Sequence, residues 1–155
     1  MVEQIKPWGL LAGRILLAQI FLLSGTMKIL HWSKTAEGMA EKGMAAVSVF
    51  LVLAIMVELG GGLGVLLGWF TRCSAITLAL FLIPVTLVYH HFWTFEGQAM
   101  ENQMQHFLKN VTIMGGLLTL AAAGAGRFSV DAAAGPAAAR ADASRPQRRT
   151  EALVR

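Results

Sequence analysis

Four long stretches of this chain carry almost no charge, and that pattern leaves it very few folds. Residues 8–30 hold two charged side chains, Arg14 and Lys28; residues 44–71 hold Glu58, 73–89 hold none, and 107–126 hold Lys109. A helix crossing the hydrocarbon core of a bilayer needs about 20 mostly apolar residues. In lipid each backbone N–H and C=O must also find its partner inside the protein, which a helix provides. The whole chain is 55% hydrophobic and only 14% charged, outside the range of soluble domains. The pattern predicts an all-α membrane protein, a four-transmembrane-helix bundle with spans of about 8–30, 45–69, 73–90 and 107–126.

Residues 1–131 would then form one membrane domain. From residue 132 large apolar side chains nearly vanish and Ala, Arg and Pro take over. Such a segment buries too little surface to order itself, so 132–155 is expected to be a disordered basic tail. Lys6 ahead of an apolar run has the form of a signal peptide. Arg14 interrupts that run, however, and no small-x-small cleavage site follows, so it is expected to remain as a span. Pro84 predicts a kink in the third span. Trp8, Trp32, Trp69 and Trp93 each fall at or just past a span end, where amphipathic rings favour the headgroup layer.

Four spans place both termini on one side. Near the bilayer that side carries Lys6, Arg72, Arg127, Arg140 and Arg145, against Lys28, Lys34, Lys42 and Lys109 opposite. The balance favours cytoplasmic termini. The net charge of +4 is read as a topology signal or a contact with anionic lipid, not as a nucleic-acid surface. A single cysteine, Cys73, excludes an internal disulfide and any Cys-x-x-Cys pair.

Arg14 and Glu58 are the costly residues, because an ionised side chain near the bilayer centre costs about 2.5–3.5 kcal/mol on insertion scales. Antiparallel packing of the first two spans would let Arg14 reach Glu58 as an intramembrane ion pair. That pair either fixes helix register or relays a proton. Past Glu58, Gly60, Gly64 and Gly68 recur every four residues on one helix side. Such a stripe suits close approach of a second helix, within the subunit or in a homo-oligomer.

The remaining polar candidates gather at the opposite, outer end. His31, His90, His91 and His106 all fall there on this topology, with Lys109 and Asn110 in the first turn of the fourth span. His90, His91, Lys109 and Asn110 would suit the edge of a quinone pocket, with donors beside an aromatic wall at the mouth of an apolar cleft. Histidines with nearby Met39, Met44, Met100 and Met104 are also ligand types for copper or haem, but their spacing matches no metal motif. No residue is assigned a catalytic role or a metal-ligand role. Lys109 pointing outward and Asn110 bonding a neighbouring helix is an equally open reading.

Taken in order, several motifs resemble the DoxX family of small four-helix membrane proteins. They are Arg14 with Ser24-Gly25-x-x-Lys28, Glu58 followed by glycines, Gly68-x-x-Thr71-Arg72, His90-His91-Phe92-Trp93, Phe107-x-Lys109-Asn110, Gly115-Gly116 and Ser129-x-Asp131. Gly124-Ala125-Gly126 departs from the Gly-Pro-Gly of many relatives. The resemblance implies a bacterial inner (plasma) membrane protein, often described as an oxidoreductase component linked to the quinone pool. With no flavin site, iron–sulfur motif or cysteine pair in the chain, electron transfer would need a quinone, a metal or a redox partner subunit. The alternatives are a non-catalytic membrane scaffold or small-molecule carrier, and an outer-face copper or haem handling protein.

Overall fold

A computed structural model of the chain describes residues 2–135. Its elements are α1 (Val2–Leu30), α2 (Trp32–Glu41), α3 (Val47–Leu67), α4 (Thr71–Tyr89), a 3-10 turn (Phe92–Thr94) and α5 (Gly97–Ala123). Among the described residues, three segments are long and apolar enough to cross a membrane: Ile5–Leu30, Val47–Leu67 and Thr71–Thr94. The fourth expected span falls on α5, which has the length at 27 residues, but Lys109, Asn110 and Gly115-Gly116 make it less apolar. The chain continues helically through Pro84. The expected tail lies outside the described residues from 136 onward. Residues 132–135 belong instead to a short helical stretch, 130–135. Ser129 caps it, its hydroxyl accepting the Ala132 N–H at 3.1 Å.

The long helices pack in sequence order, α1 on α3, α3 on α4 and α4 on α5, and α5 returns to touch α1. All neighbours are antiparallel. Along α1 and α3 the facing sets run from Gly25 opposite Leu59, through Leu22 opposite Gly62, to Arg14 opposite Val65. The buried centre is made of Ala18, Phe21, Val65, Leu78, Leu82 and Leu117 with their neighbours. Outside it, Leu16, Leu23, Val49, Leu80, Leu87, Leu108 and Leu118 stand exposed on α1, α3, α4 and α5. A belt of exposed leucines of this extent marks contact with lipid rather than water. All four tryptophans are exposed, Trp8 and Trp69 at one end of the bundle and Trp32 and Trp93 at the other.

The glycine stripe follows the expected pattern only in part: Gly64 does face α4, where a methyl group would sit 3.0 Å from Ser74 Cβ. Gly60 faces open space, whereas a methyl group at Gly61 would sit 2.8 Å from Leu78, and one at Gly62 would sit 2.9 Å from Leu22. Two adjacent glycines therefore admit two different helices, α4 and α1, and no single face of α3 carries the packing. Gly68 serves a different purpose. At φ +71° it ends α3 in the left-handed conformation that glycine adopts without steric cost. Gly61→Ala is expected to lose about 1–3 kcal/mol to overpacking against fully buried Leu78, and Gly60→Ala to lose nothing. Unfolding of the two variants in detergent micelles checks the contrast.

Candidate functional site

Three polar assemblies interrupt the apolar bundle. The first surrounds Glu58, which is buried near the middle of α3. Lys28 Nζ lies 2.8 Å from both Glu58 carboxylate oxygens, and the side chains are 24% and 6% exposed, respectively. Ser24, one turn earlier on α1, donates its hydroxyl to Glu58 Oε1 at 3.0 Å and accepts from Lys28 at 2.6 Å. The carboxylate is thus neutralised and hydrogen-bonded where solvent cannot serve it.

The expected Arg14–Glu58 pair is therefore corrected to Lys28–Glu58. The reason lies in helix geometry: side chains lean toward the N-terminus of their own helix. On α1, Glu58 sits opposite Ser24 and Gly25, so Lys28 leans back onto it. Arg14 leans in the same direction, which for it is away from Glu58, and it lies ten residues, or ~15 Å, from Ser24 along the axis.

Arg14 instead builds the second assembly. It is 1% exposed and donates four hydrogen bonds, all to carbonyls. Nε reaches Val65 O at 2.9 Å and Nη2 reaches Leu66 O at 2.6 Å. Nη1 reaches Ala125 O at 2.9 Å and Phe128 O at 2.7 Å. Val65 and Leu66 lie in the last turn of α3, where carbonyls lack partners within the helix and the dipole favours a cation. Asp131 does the converse at the start of α4. Its Oδ1 accepts the Phe70 N–H at 2.8 Å. Oδ2 accepts the Thr71 N–H at 3.0 Å and the Thr71 hydroxyl at 2.8 Å, while the Asp131 N–H donates to Gly68 O at 2.9 Å.

A cation on the end of one helix and an anion on the start of the next thus fasten the 68–70 turn to the segment after α5. Burial pushes the Asp131 carboxyl up, but the Thr71 and Phe70 donors and the Arg14 charge outweigh it, leaving it below the ordinary carboxylate range. The left-handed Gly124, φ +82°, and Ala125 lead into this clasp. That is the role of the Gly-Ala-Gly segment.

The third assembly lies between α4 and α5 at the other end. The His90 and His106 rings stack with centroids 5.1 Å apart. Lys109 Nζ donates to His106 Nδ1 at 3.1 Å, and His90 Nδ1 is 2.9 Å from Gln103 Oε1. One turn deeper, buried Asn110 donates to the Thr86 hydroxyl at 3.0 Å. Of the four residues assigned to the outer pocket, His90 and Lys109 meet through His106, and Asn110 lies below them on the same interface. His91 does not join them. Its Nδ1–H donates to Val88 O at 3.0 Å, and its ring lies against Phe95 and Trp93. His31 sits at the α1–α2 junction. Among the described residues, no three His, Cys, Asp or Glu side chains come together.

Sequence reasoning missed Lys28 as the partner of Glu58, Thr86 as the partner of Asn110, and Gln103. Ser24 and Lys28 did carry a signal. Spaced four apart in an otherwise apolar helix, they share the face that a buried carboxylate would need.

Comparison with known proteins adds the family context. The DoxX family model matches residues 9–91. The inner membrane protein YphA of Escherichia coli is 32% identical over 126 residues, covering 81% of this chain and 90% of that protein. YqjF, an inner membrane protein of the same organism, is 35% identical over 130 residues, 84% of this chain and 95% of its own. The ER-derived vesicles protein ERV29 of Saccharomyces cerevisiae is 26% identical across 83% of this chain, but only 34% of its own length is covered. No solved structure matches the chain.

Proposed function

The chain belongs to the DoxX family, and from that premise we propose that it is the membrane subunit of a redox system, binding a quinone at the outer end of α4 and α5. We place it in the bacterial inner membrane with four spans and both termini in the cytoplasm. The inner-membrane placement follows the names of YphA and YqjF. The fourth span rests on α5, whose Leu108, Val111 and Leu118 are as exposed as the leucines of the other helices. Orientation rests on positive charge: with Lys28 paired to Glu58 inside the bundle, fewer free cations remain on the outer side.

The observation that carries the quinone reading is the His90–His106–Lys109 cluster with Asn110 one turn below. The Lys109 ammonium and an imidazole N–H are donors for a quinone carbonyl oxygen. Phe92, Trp93 and Phe107, packed edge to face, supply the aromatic wall, and His91 borders it from outside. Electrons would come from a partner subunit, since one cysteine cannot cycle as a dithiol.

Protein purified gently in native lipid is expected to retain close to one quinone per chain. His106→Ala with Lys109→Ala should lose it, and His91→Ala should keep it. Extraction and quantification of quinone from the three samples is the test, and no quinone in any of them rejects the redox reading.

A small-molecule carrier is the second reading, favoured by the buried Lys28–Glu58 pair, since ionisable residues within spans mark solute and proton paths. Transport lost in Glu58→Gln with the fold intact would support it.

A further inference from the structure

We propose that the end of the bundle holding the clasp binds one anionic phospholipid, its phosphate at Arg72 and an acyl chain in the groove between α3 and α4. Two cavities carry this. One, of about 530 Å³, is lined by Arg72, Thr71, Cys73, Gly124, Ser129 and Asp131. The other, of about 320 Å³, is lined by Met56, Val57, Gly61, Cys73, Ser74 and Thr77. Cys73 lines both, so the cavity that carries Arg72 and Asp131 adjoins the more apolar groove. A lipid would place its headgroup in the first and its tail in the second.

The charges in the polar chamber favour an anion. Asp131 has both oxygens occupied by Phe70 and Thr71. Arg14 spends four of its five N–H donors on carbonyls. Arg72 makes no hydrogen bond or ion pair with any described residue. It lies over Gly124, where a methyl group would be 3.4 Å from its Nη2. Its exposed guanidinium therefore stands at the cavity wall with its fork unused, suited to two phosphate oxygens. Trp69 and Phe70, both exposed, flank the chamber, as at a headgroup boundary.

The groove takes part of an acyl chain. On α3 its lining runs from Met56 to Gly61, ~8 Å along the axis, about half of the ~15 Å of hydrocarbon in one leaflet. Gly61 lines its floor without a side chain, and Thr77 is exposed at its rim.

The full chain in mild detergent, titrated with lipid and read by native mass spectrometry, tests the proposal. Dioleoyl phosphatidylglycerol is expected to bind about fivefold tighter than dioleoyl phosphatidylcholine, because one basic residue at a membrane surface contributes about 1 kcal/mol. Arg72→Gln should abolish that preference and Arg72→Lys should keep part of it. Thr77→Trp, which fills the groove from its exposed rim, should weaken dioleoyl phosphatidylglycerol several-fold and leave the short dihexanoyl form unchanged. The proposal is overturned if the parent binds both headgroups equally, or if Arg72→Gln keeps the preference. It is also overturned if Thr77→Trp leaves the long-chain lipid unaffected, or if inorganic phosphate alone competes as well as the lipid, which would make this a free-phosphate site.

Discussion

Arg14→Ala is expected to cost about 3–5 kcal/mol of stability, because it strips several buried or half-buried carbonyls of their donor. The loss falls on the carbonyls of Val65, Leu66, Ala125 and Phe128. Water cannot readily reach the two that close α3, and each carbonyl left unpaired in a buried place costs about 1–3 kcal/mol. Arg14→Lys is expected to recover less than half of this. A lysine supplies three donors from one point, whereas the four carbonyls arrive from two directions and match the planar fork of a guanidinium. Because the carbonyls belong to α3 and to the segment after α5, the variant should also loosen the clasp at Asp131. Equilibrium unfolding in lipid–detergent mixtures, followed by tryptophan fluorescence, measures the effect. A stable Arg14→Lys protein would show that charge alone, without the fork, is what the site requires.

Glu58→Gln and Lys28→Met are each expected to destabilise by about 3–5 kcal/mol, since either leaves an uncompensated charge within the span. The double variant should regain most of the loss, because an amide and a thioether need no counter-ion. Arg14→Gln combined with Glu58→Gln should instead be additive to within about 0.5 kcal/mol, as expected for separated sites. The two cycles together decide the pairing. Strong coupling between Lys28 and Glu58 with none between Arg14 and Glu58 supports the geometry here, and the reverse pattern rejects it.

The glycine-rich turn of α3 shows how far one-dimensional patterns reach. Four-residue spacing placed Gly60, Gly64 and Gly68 on one face, but spacing says nothing about where a neighbouring helix lies. α1 and α4 approach α3 from different sides, so Gly62 is filled against by α1 and Gly61 and Gly64 by α4, while Gly60 faces open space. The outer cluster is similar. His90, Lys109 and Asn110 were legible as polar residues near one end, yet the choice between His90 and His91 depended on the last turn of α4. There the chain leaves the helix at His90, and His91 turns back to Val88 O.

Residue order alone was enough for the helical membrane character, the approximate limits of α1, α3 and α4 and the tryptophan-marked ends, though not for the start of α5, which begins at Gly97 rather than near 107. These follow from local hydropathy and residue type, because lipid imposes the same requirement on every backbone segment independently. Which charge answers which was settled by packing in three dimensions. Lys28 rather than Arg14 meets Glu58, Arg14 closes α3, and Asp131 starts α4. Such pairings depend on the axial register of antiparallel helices and on the N-terminal lean of their side chains. A shift of a few residues in register, only a few ångströms along the axis, exchanges one partner for another without changing the hydropathy of either helix.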